Sequence, residues 1–416
     1  MDFTDDLGGW VARQRWYAGK SHEPRFRILD AQPVTDATRY LLMDDAGSLP
    51  TLYHVPLSLV PVVADADADA VVIREEAGCL VDATRYPGFA VGMLAAMGTD
   101  VARVTGVRVL SAEQSNTSIV FEEDGRPTII LKLFRTLHHG ENPDVTVQRV
   151  LSDAGSPYVP RFFGSLDTSW PDVGRESGVA HGTVGFAQEF LPGVRDGWAI
   201  ALDAAREHRD FTDAAAALGV AVAGVHGALG AALETEDASS DRKTATVTGW
   251  RRRLAIAAAE VPAVAACGAG IDAIYQTALD RPWPRLQRIH GDLHLGQVLA
   301  VPDAGWRIVD FEGEPLRPMT ERAIPDLPPR DVAGMLRSFD YAGAVGAGED
   351  AADWAASCRA AFHDAYTAAP GAIELDPLLL RALVLDKAVY EATYEARNRP
   401  DWLPVPLAAI EGVLAR

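Results

Sequence analysis

Cysteine is scarce in this chain: Cys79, Cys267 and Cys358 are the only three among 416 residues. They lie far apart, form no CxxC pair and lack the spacing of metal ligands, so neither a disulfide framework nor a cysteine-held metal is expected. A reduced, cytoplasmic setting suits them. Positive charge is also thin. Lys and Arg number 38 against 58 Asp and Glu, for a net charge of −20. That balance argues against a nucleic-acid partner, whose phosphates need concentrated cations. Any phosphate site must be assembled locally from a few residues and a bound metal. Apolar runs long enough to cross a bilayer are missing, because Ala, Gly, Arg or Asp interrupts each candidate. The opening MDFTDDLGGW is acidic where a secretory leader would be basic. A monomer without a membrane partner is expected.

What is present can bury a sizeable core. With 48% hydrophobic residues in this length, two or three structural units are expected. Residues 1–95 mix short strand-like runs, RYLLMDD and TLYHVPLSL, with turn residues; VVADADADAVVI, after them, reads as a solvated loop between strands. From Val101 the pattern sharpens. VARVTGVRVL, TSIVFEE and PTIILKLF read as strands, the last two joined by an Asp-Gly hairpin turn. Lys132 falls inside PTIILKLF, either as an edge-strand gatekeeper or as a charge aimed at a ligand. YVPRFFGSL and GTVGFAQEFLPG bring the strands to about five. Beyond GVRDGW the chain turns helical, from Phe211 to Leu233 with Thr212 as N-cap and again from Leu378 to Asn398, closed by Pro400. The expectation is an α+β protein of two lobes with a cleft between them.

The densest chemistry lies in RIHGDLHLGQVLAVPDAGWRIVDFEGEP, Arg288 to Pro315. VLAVPDAGWRIVD reads as strand, turn, strand, which carries Gln297 and Asp310 to the same end of a hairpin. An amide oxygen beside a carboxylate can hold a hard divalent cation such as Mg²⁺. Asp292, in the loop just before, is then placed to accept a proton from a substrate hydroxyl. Protein kinases divide this labour in the same order, with HGD here for HRD, Gln297 for Asn and DFE for DFG. The N-terminal half follows the kinase order too, with Lys132 on the third strand reaching ATP phosphates. It lacks a GxGxxG loop; Ser115, Asn116 and Thr117 with backbone N–H groups stand in its place.

RQRWYAGK (Arg13–Lys20), EQSNTSIVF, ENPDV, HGDLHLGQVL, DFEGEP, RDVAGMLRSFDYA and LDKAVYEATYEARNRPDWLPVPL together resemble the actinobacterial maltokinase-like family, within the wider aminoglycoside phosphotransferase group. The resemblance runs from about residue 10 to the C-terminus. It implies a bilobal protein-kinase-like fold: an N-terminal cap domain at 1–95, a mixed-strand N-lobe with hinge at 96–195 and a mainly helical C-lobe at 196–416. It also implies sugar phosphorylation with ATP and Mg²⁺. Two departures stand out. Family members carry a glutamate after NPD for the strand lysine, whereas this chain has Thr146, leaving Glu141, Asp144 or no partner for Lys132. The region before QSNTS is also shorter than in maltokinases, a feature closer to glucosamine kinases.

On this reading Asp292 is the catalytic base, and Gln297 and Asp310, with Glu312, hold Mg²⁺. Adenine lies against the backbone of Gln188, Glu189 and Phe190. His290 braces the catalytic loop, while His294 either supports it or touches the sugar. For the acceptor, Lys387, Glu391, Tyr394 and Asn398 share a helical face, flanked by Tyr390, Glu395 and Trp402. An amino sugar brings an ammonium group, for which Glu312, Glu391 and Glu395 are candidate carboxylates. Glucosamine phosphorylated at its 6-hydroxyl is the expected reaction; maltose phosphorylation at the 1-position and aminoglycoside phosphorylation are the alternatives.

Overall fold

The computed structural model describes residues 3–20, 22–47, 50–61, 70–75, 78–110, 115–314, 317 and 319–415. Of the expected solvated loop, residues 62–73, residues 62–69 lie outside the described residues while Val71–Ile73 are strand rather than loop; 111–114 of the polar loop before Ser115 also lie outside. The chain divides into two compact units, one of residues 1–149 with 160–192 and one of residues 150–159 with 193–416.

The first unit opens with helix α1 (Phe3–Arg13), followed by β1 (Phe26–Val34), β2 (Ala37–Asp44), β3 (Thr51–Val60), β4 (Val71–Glu75) and β5 (Gly78–Asp82). These strands pair antiparallel in the order β1-β2-β3-β5-β4. Trp10, Trp16, Tyr17 and Tyr53 are buried together against α1, the Trp10 and Trp16 rings 5.9 Å apart. Helix α2 (Pro87–Ala96) begins with proline, whose missing N–H costs nothing at a helix start.

A second sheet follows: β6 (Val104–Leu110), β7 (Asn116–Glu123) and β8 (Arg126–Phe134). After the short β9 (Thr136–Leu137) and helix α3 (Pro143–Asp153) it is completed by β10 (Phe162–Pro171) and β11 (Val179–Glu189). The order β10-β11-β8-β7-β6 makes the five expected strands one sheet. Asp124 and Gly125 both take positive φ, 49° and 75°, as the tight hairpin turn between β7 and β8 demands. β8 is the middle strand, with Lys132 opposite Ser118 on one side and Phe186 on the other. That rules out the edge-strand gatekeeper reading. β9 leaves this sheet and pairs with β3, Leu137 opposite Leu52, so both sheets belong to one unit.

The second unit is mainly helical. β12 (Arg195–Asp196) leads into α4 (Gly197–Arg206), α5 (Thr212–Ala232), α6 (Ser240–Glu260) and α7 (Pro262–Leu279). Hairpin β13 (Val298–Val301) and β14 (Gly305–Ile308) pairs with β12 as a three-stranded sheet. Helices α8 (Met319–Arg322), α9 (Pro329–Gly346), α10 (Ala351–Ala368), α11 (Pro377–Asn398) and α12 (Pro404–Leu414) complete it. Two expectations change here. Thr212 is the first helical residue rather than the cap, and its N–H is taken by Asp210 Oδ1 at 2.8 Å. The 21-residue α5 is also long and apolar enough, by length and composition, to cross a membrane, because its Ala and Gly residues do not interrupt hydropathy. Within this fold it is a core helix. Leu218, Val222, Val225 and Leu229 are buried, and His226 in its middle is hydrogen-bonded to Asp331.

Candidate active site

The hairpin forms as expected. Val298 lies opposite Ile308, Asp303 (φ 60°) and Gly305 (φ 75°) make the turn, and Val309 N–H donates to Gln297 O at 3.0 Å. Gln297 and Asp310 therefore meet, with Gln297 Nε2 donating to Asp310 Oδ2 at 3.0 Å. A carboxylate oxygen of Glu312 comes within 4.8 Å of one from Asp310. Asp310 sits at φ 67°, in the left-handed region that aspartate enters more readily than most non-glycine residues. One amide oxygen and two carboxylates are a hard-oxygen donor set, and this set fits Mg²⁺.

Asp292 is held in the preceding loop by contacts spread along the chain. Asp331, on α9, is the anchor: it accepts from His290 N (2.8 Å), Gly291 N (2.9 Å) and His226 Nε2 (3.1 Å). Burial opposes its ionisation, but His226 and these N–H groups outweigh burial and hold the Asp331 carboxyl below its ordinary value. His290 pairs its Nε2 with Val309 O at 3.0 Å and packs on Phe311, which makes it the expected brace. Gly291 has φ 84°, and a Cβ there would come 3.3 Å from Gly313 Cα. Arginine, the residue kinases carry here, would meet both obstacles, which explains HGD in place of HRD.

Lys387, on α11, bonds Asp292 Oδ1 at 3.1 Å and Glu314 Oε1 at 3.2 Å. Burial works against its charge, yet Glu314 and Asp292 hold it above its ordinary value. Burial likewise works against Glu314, but Lys387, Arg330, Arg317 and Arg253 keep its carboxyl well below the usual range. Asp292 is thus tied to a lattice of compensated charges, as buried ions require.

Beside Asp292 opens a cavity of about 470 Å³. Of the residues expected to contact the acceptor, Asp292, His294, Lys387, Tyr390, Glu391 and Trp402 line it. His294 lines the cavity and supports the loop, its Nδ1 accepting from Gly296 N at 3.0 Å. Burial pushes its imidazole pKa below the usual value. Two assignments are corrected. Asn398 is exposed at the end of α11 and turns its amide back onto Tyr394 O (2.8 Å). Glu312 stands with Asp310 rather than among the cavity residues. Glu391 and Glu395 do line the cavity, but Glu391 is held by Arg337 at 2.9 and 2.8 Å and Glu395 by Arg399 at 2.9 and 2.6 Å. Sequence reasoning missed Asp196, Trp198, Ser338, Tyr341 and Arg399, all in the cavity wall. GVRDGW and RDVAGMLRSFDYA carried the signal, as polar and aromatic residues bordering apolar helices.

In the first unit Lys132 Nζ bonds Asp144 Oδ2 at 2.9 Å, which resolves its partner in favour of Asp144 in the first turn of α3. Thr117 differs from expectation. Its side chain is buried, and its hydroxyl accepts from Arg135 Nε at 2.7 Å on the sheet face away from Lys132. Ser115 is exposed, and Asn116 begins β7. Gln188 is paired in the sheet, while the N–H groups of Glu189 and Phe190 donate to Arg161 O and Thr128 O, both at 2.8 Å. An adenine contact by Glu189 or Phe190 therefore has to use a carbonyl oxygen or a side chain.

A loop aspartate, an amide–carboxylate pair on a hairpin and an ion-paired lysine on a central strand define a kinase-like phosphotransferase. The sequence profile of the maltokinase N-terminal cap domain matches residues 10–90, and that of the phosphotransferase enzyme family matches residues 106–368. The chain belongs to the phosphotransferase enzyme family, and its activity is ATP-dependent phosphorylation of an alcohol group, with Mg²⁺ as cofactor. Among curated relatives, a glucosamine kinase of Streptacidiphilus jiangxiensis is 30% identical over 352 residues, covering 76% of this chain and 75% of that one. A glucosamine kinase of Mycolicibacterium smegmatis is 28% identical over 338 residues, covering 74% and 80%. Among solved structures, a glucosamine kinase (crystal form B) superposes with TM-score 0.75 at 23% identity over 100% of both chains. Another, in complex with glucosamine, ADP and inorganic phosphate, gives 0.72 at 23% identity over 98% of this chain and 99% of that one. These structural likenesses establish the shared fold, a kinase-like core behind an N-terminal cap.

Proposed function

We propose that the protein transfers the γ-phosphoryl group of ATP to the 6-hydroxyl of glucosamine. One observation carries the choice of acceptor: the cavity beside Asp292 has sugar-sized volume, aromatic walls and four acids, Asp196, Asp292, Glu391 and Glu395, against two bases, Lys387 and Arg399. An excess of carboxylates favours a cationic sugar over a neutral one. Asp196 is the carboxylate best suited to the ammonium, since Glu391 and Glu395 are bonded to arginines. Asp196 Oδ1 caps α4 through Ala199 N, which fixes the side chain at the cavity wall. Trp198, Tyr341 and Trp402 form a cluster with ring centroids 6.0 to 6.4 Å apart and offer an apolar platform for a pyranose. The relatives named as glucosamine kinases support the same acceptor.

In this reading Asp292 accepts the proton of the attacking hydroxyl while Lys387 fixes its carboxylate. Gln297, Asp310 and Glu312 hold Mg²⁺, which when bound neutralises charge on the transferring phosphoryl group. Lys132, oriented by Asp144, steadies the α- and β-phosphates. ADP release measured with glucosamine, maltose and kanamycin, with phosphorus NMR of the product, tests the reading. Turnover confined to maltose or kanamycin, or phosphate on another hydroxyl, overturns it.

A further inference from the structure

The cavity beside Asp292 carries four acids, but most of that charge is already matched. Glu395 accepts from Arg399 Nε (2.9 Å) and Nη2 (2.6 Å) and from the Tyr341 hydroxyl (3.1 Å). Glu391 accepts from Nε and Nη2 of Arg337, and Asp292 is bonded to Lys387. Three carboxylates therefore have three cations, and Asp196 alone lines the cavity with no ion-pair partner among the described residues. One uncompensated negative charge suits one ammonium group. A second ammonium on the same ring would find no carboxylate left for it.

The two arginine clamps differ in place. Arg337 is 1% exposed and lies behind Glu391, outside the cavity lining, whereas Arg399 is part of the wall. Arg399 is also fixed there. It follows the last residue of α11, its N–H donates to Glu395 O at 2.8 Å, and its guanidinium lies 4.5 Å from the Trp402 ring centroid and 5.4 Å from that of Tyr394. The pair is lopsided: the Arg399 side chain is 46% exposed and that of Glu395 only 2%. The guanidinium thus covers the acid, and its two forked N–H groups take both carboxylate oxygens. Where Glu395 could have met a cationic acceptor, the wall presents a positive charge.

We propose that Arg399 is a specificity-determining residue: by occupying Glu395 it holds the site to acceptors with a single ammonium group and rejects ring-sized diamines. The inference rests on reading this cavity as the amino-sugar site. The test is inhibition of glucosamine phosphorylation by 2-deoxystreptamine, a six-membered ring bearing two amino groups, in the full chain. Against the wild type it should compete weakly. R399M keeps an apolar stem against Trp402 and removes the charge, and there the inhibition constant should fall about tenfold or more relative to KM for glucosamine. R399K should resemble the wild type, and R399M/E395Q should lose the gain, with KM for ATP constant throughout. An unchanged ratio in R399M, or the same gain in R399M/E395Q, would overturn the proposal while leaving glucosamine as the acceptor. Absence of glucosamine turnover by the wild type would defeat the underlying reading, and the inference with it.

Discussion

Asp331→Asn is the sharpest perturbation of the catalytic loop. Asp331 Oδ2 accepts from His290 N and His226 Nε2, and Oδ1 accepts from Gly291 N. Asparagine keeps the shape but only one acceptor oxygen. With that oxygen toward His290, its amide NH₂ confronts the Gly291 N–H; flipped, it confronts His290 and His226. Either way at least one buried N–H loses its partner, at roughly 1–3 kcal/mol, and the loss of charge raises the total to about 3–5 kcal/mol. Displacement passes directly to Asp292, the next residue, and a shift near 1 Å costs about a hundredfold in rate. The expected result is a kcat reduced about a hundredfold with KM for ATP little changed, alongside a lower denaturation midpoint. His226→Phe removes one of the three bonds and should cost less on both counts. An Asp331→Asn protein that is less stable yet retains kcat within twofold at temperatures where it is folded would refute the argument that Asp331 positions the base.

Asp292→Asn should lower kcat by about 10²–10⁴ while ATP affinity, measured by calorimetry, stays near wild type; equal loss of both would assign the loop a structural role. Gln297→Ala should raise the Mg²⁺ concentration for half-maximal activity by about tenfold or more, and an unchanged Mg²⁺ requirement would remove Gln297 from the metal site. His54 lies wholly buried, its Nδ1 3.1 Å from Phe134 O, and burial together with Arg135 and Arg39 depresses its pKa to about 3. Between the ordinary histidine value and that figure the unfolded chain holds a proton that the folded chain does not, so stability falls as pH falls across this window, by about 5 kcal/mol in all. His54→Leu should flatten that slope in pH-dependent denaturation; identical slopes in both proteins would discount the burial argument.

The sequence exposes local chemistry better than it exposes neighbours. Asp124-Gly125 announces its hairpin because positive φ at both positions is a property of those residues alone. The meeting of Gln297 and Asp310 follows from counting residues along a hairpin. Lys132 was ambiguous for a different reason: edge and centre strands differ in partners, and the pairing with Phe186 is invisible along the chain. The same limit hid Asp196 and Trp198, which reach the cavity beside Asp292 through the pairing of β12 with β13. Asn398 failed oppositely. It keeps the helical spacing of Lys387 and Glu391, but at the last position of α11 a short amide bonds its own helix more easily than it reaches a cavity.

Helix α11 explains why the site and the core cannot be separated. Leu379, Leu383, Val384, Ala388, Val389 and Ala392 are buried along it, while Lys387, Tyr390, Glu391 and Tyr394 of the same helix line the cavity beside Asp292. Its start is fixed by Asp376, which accepts from Leu378 N and Leu379 N. Its middle is fixed by Asp386, bonded to Arg253 at 3.0 and 2.7 Å. A turn later Glu391 is clamped by Arg337 of α9, the helix that also supplies Asp331. Asp292 is therefore gripped twice, by α9 through the backbone of the preceding His290 and Gly291 and by Lys387 of α11 through its carboxylate, with Arg337 locking the two helices together. Catalytic geometry held in this way is a consequence of helix packing, and a cavity-forming change at Leu383 or Val389 should register in kcat before it registers in acceptor affinity.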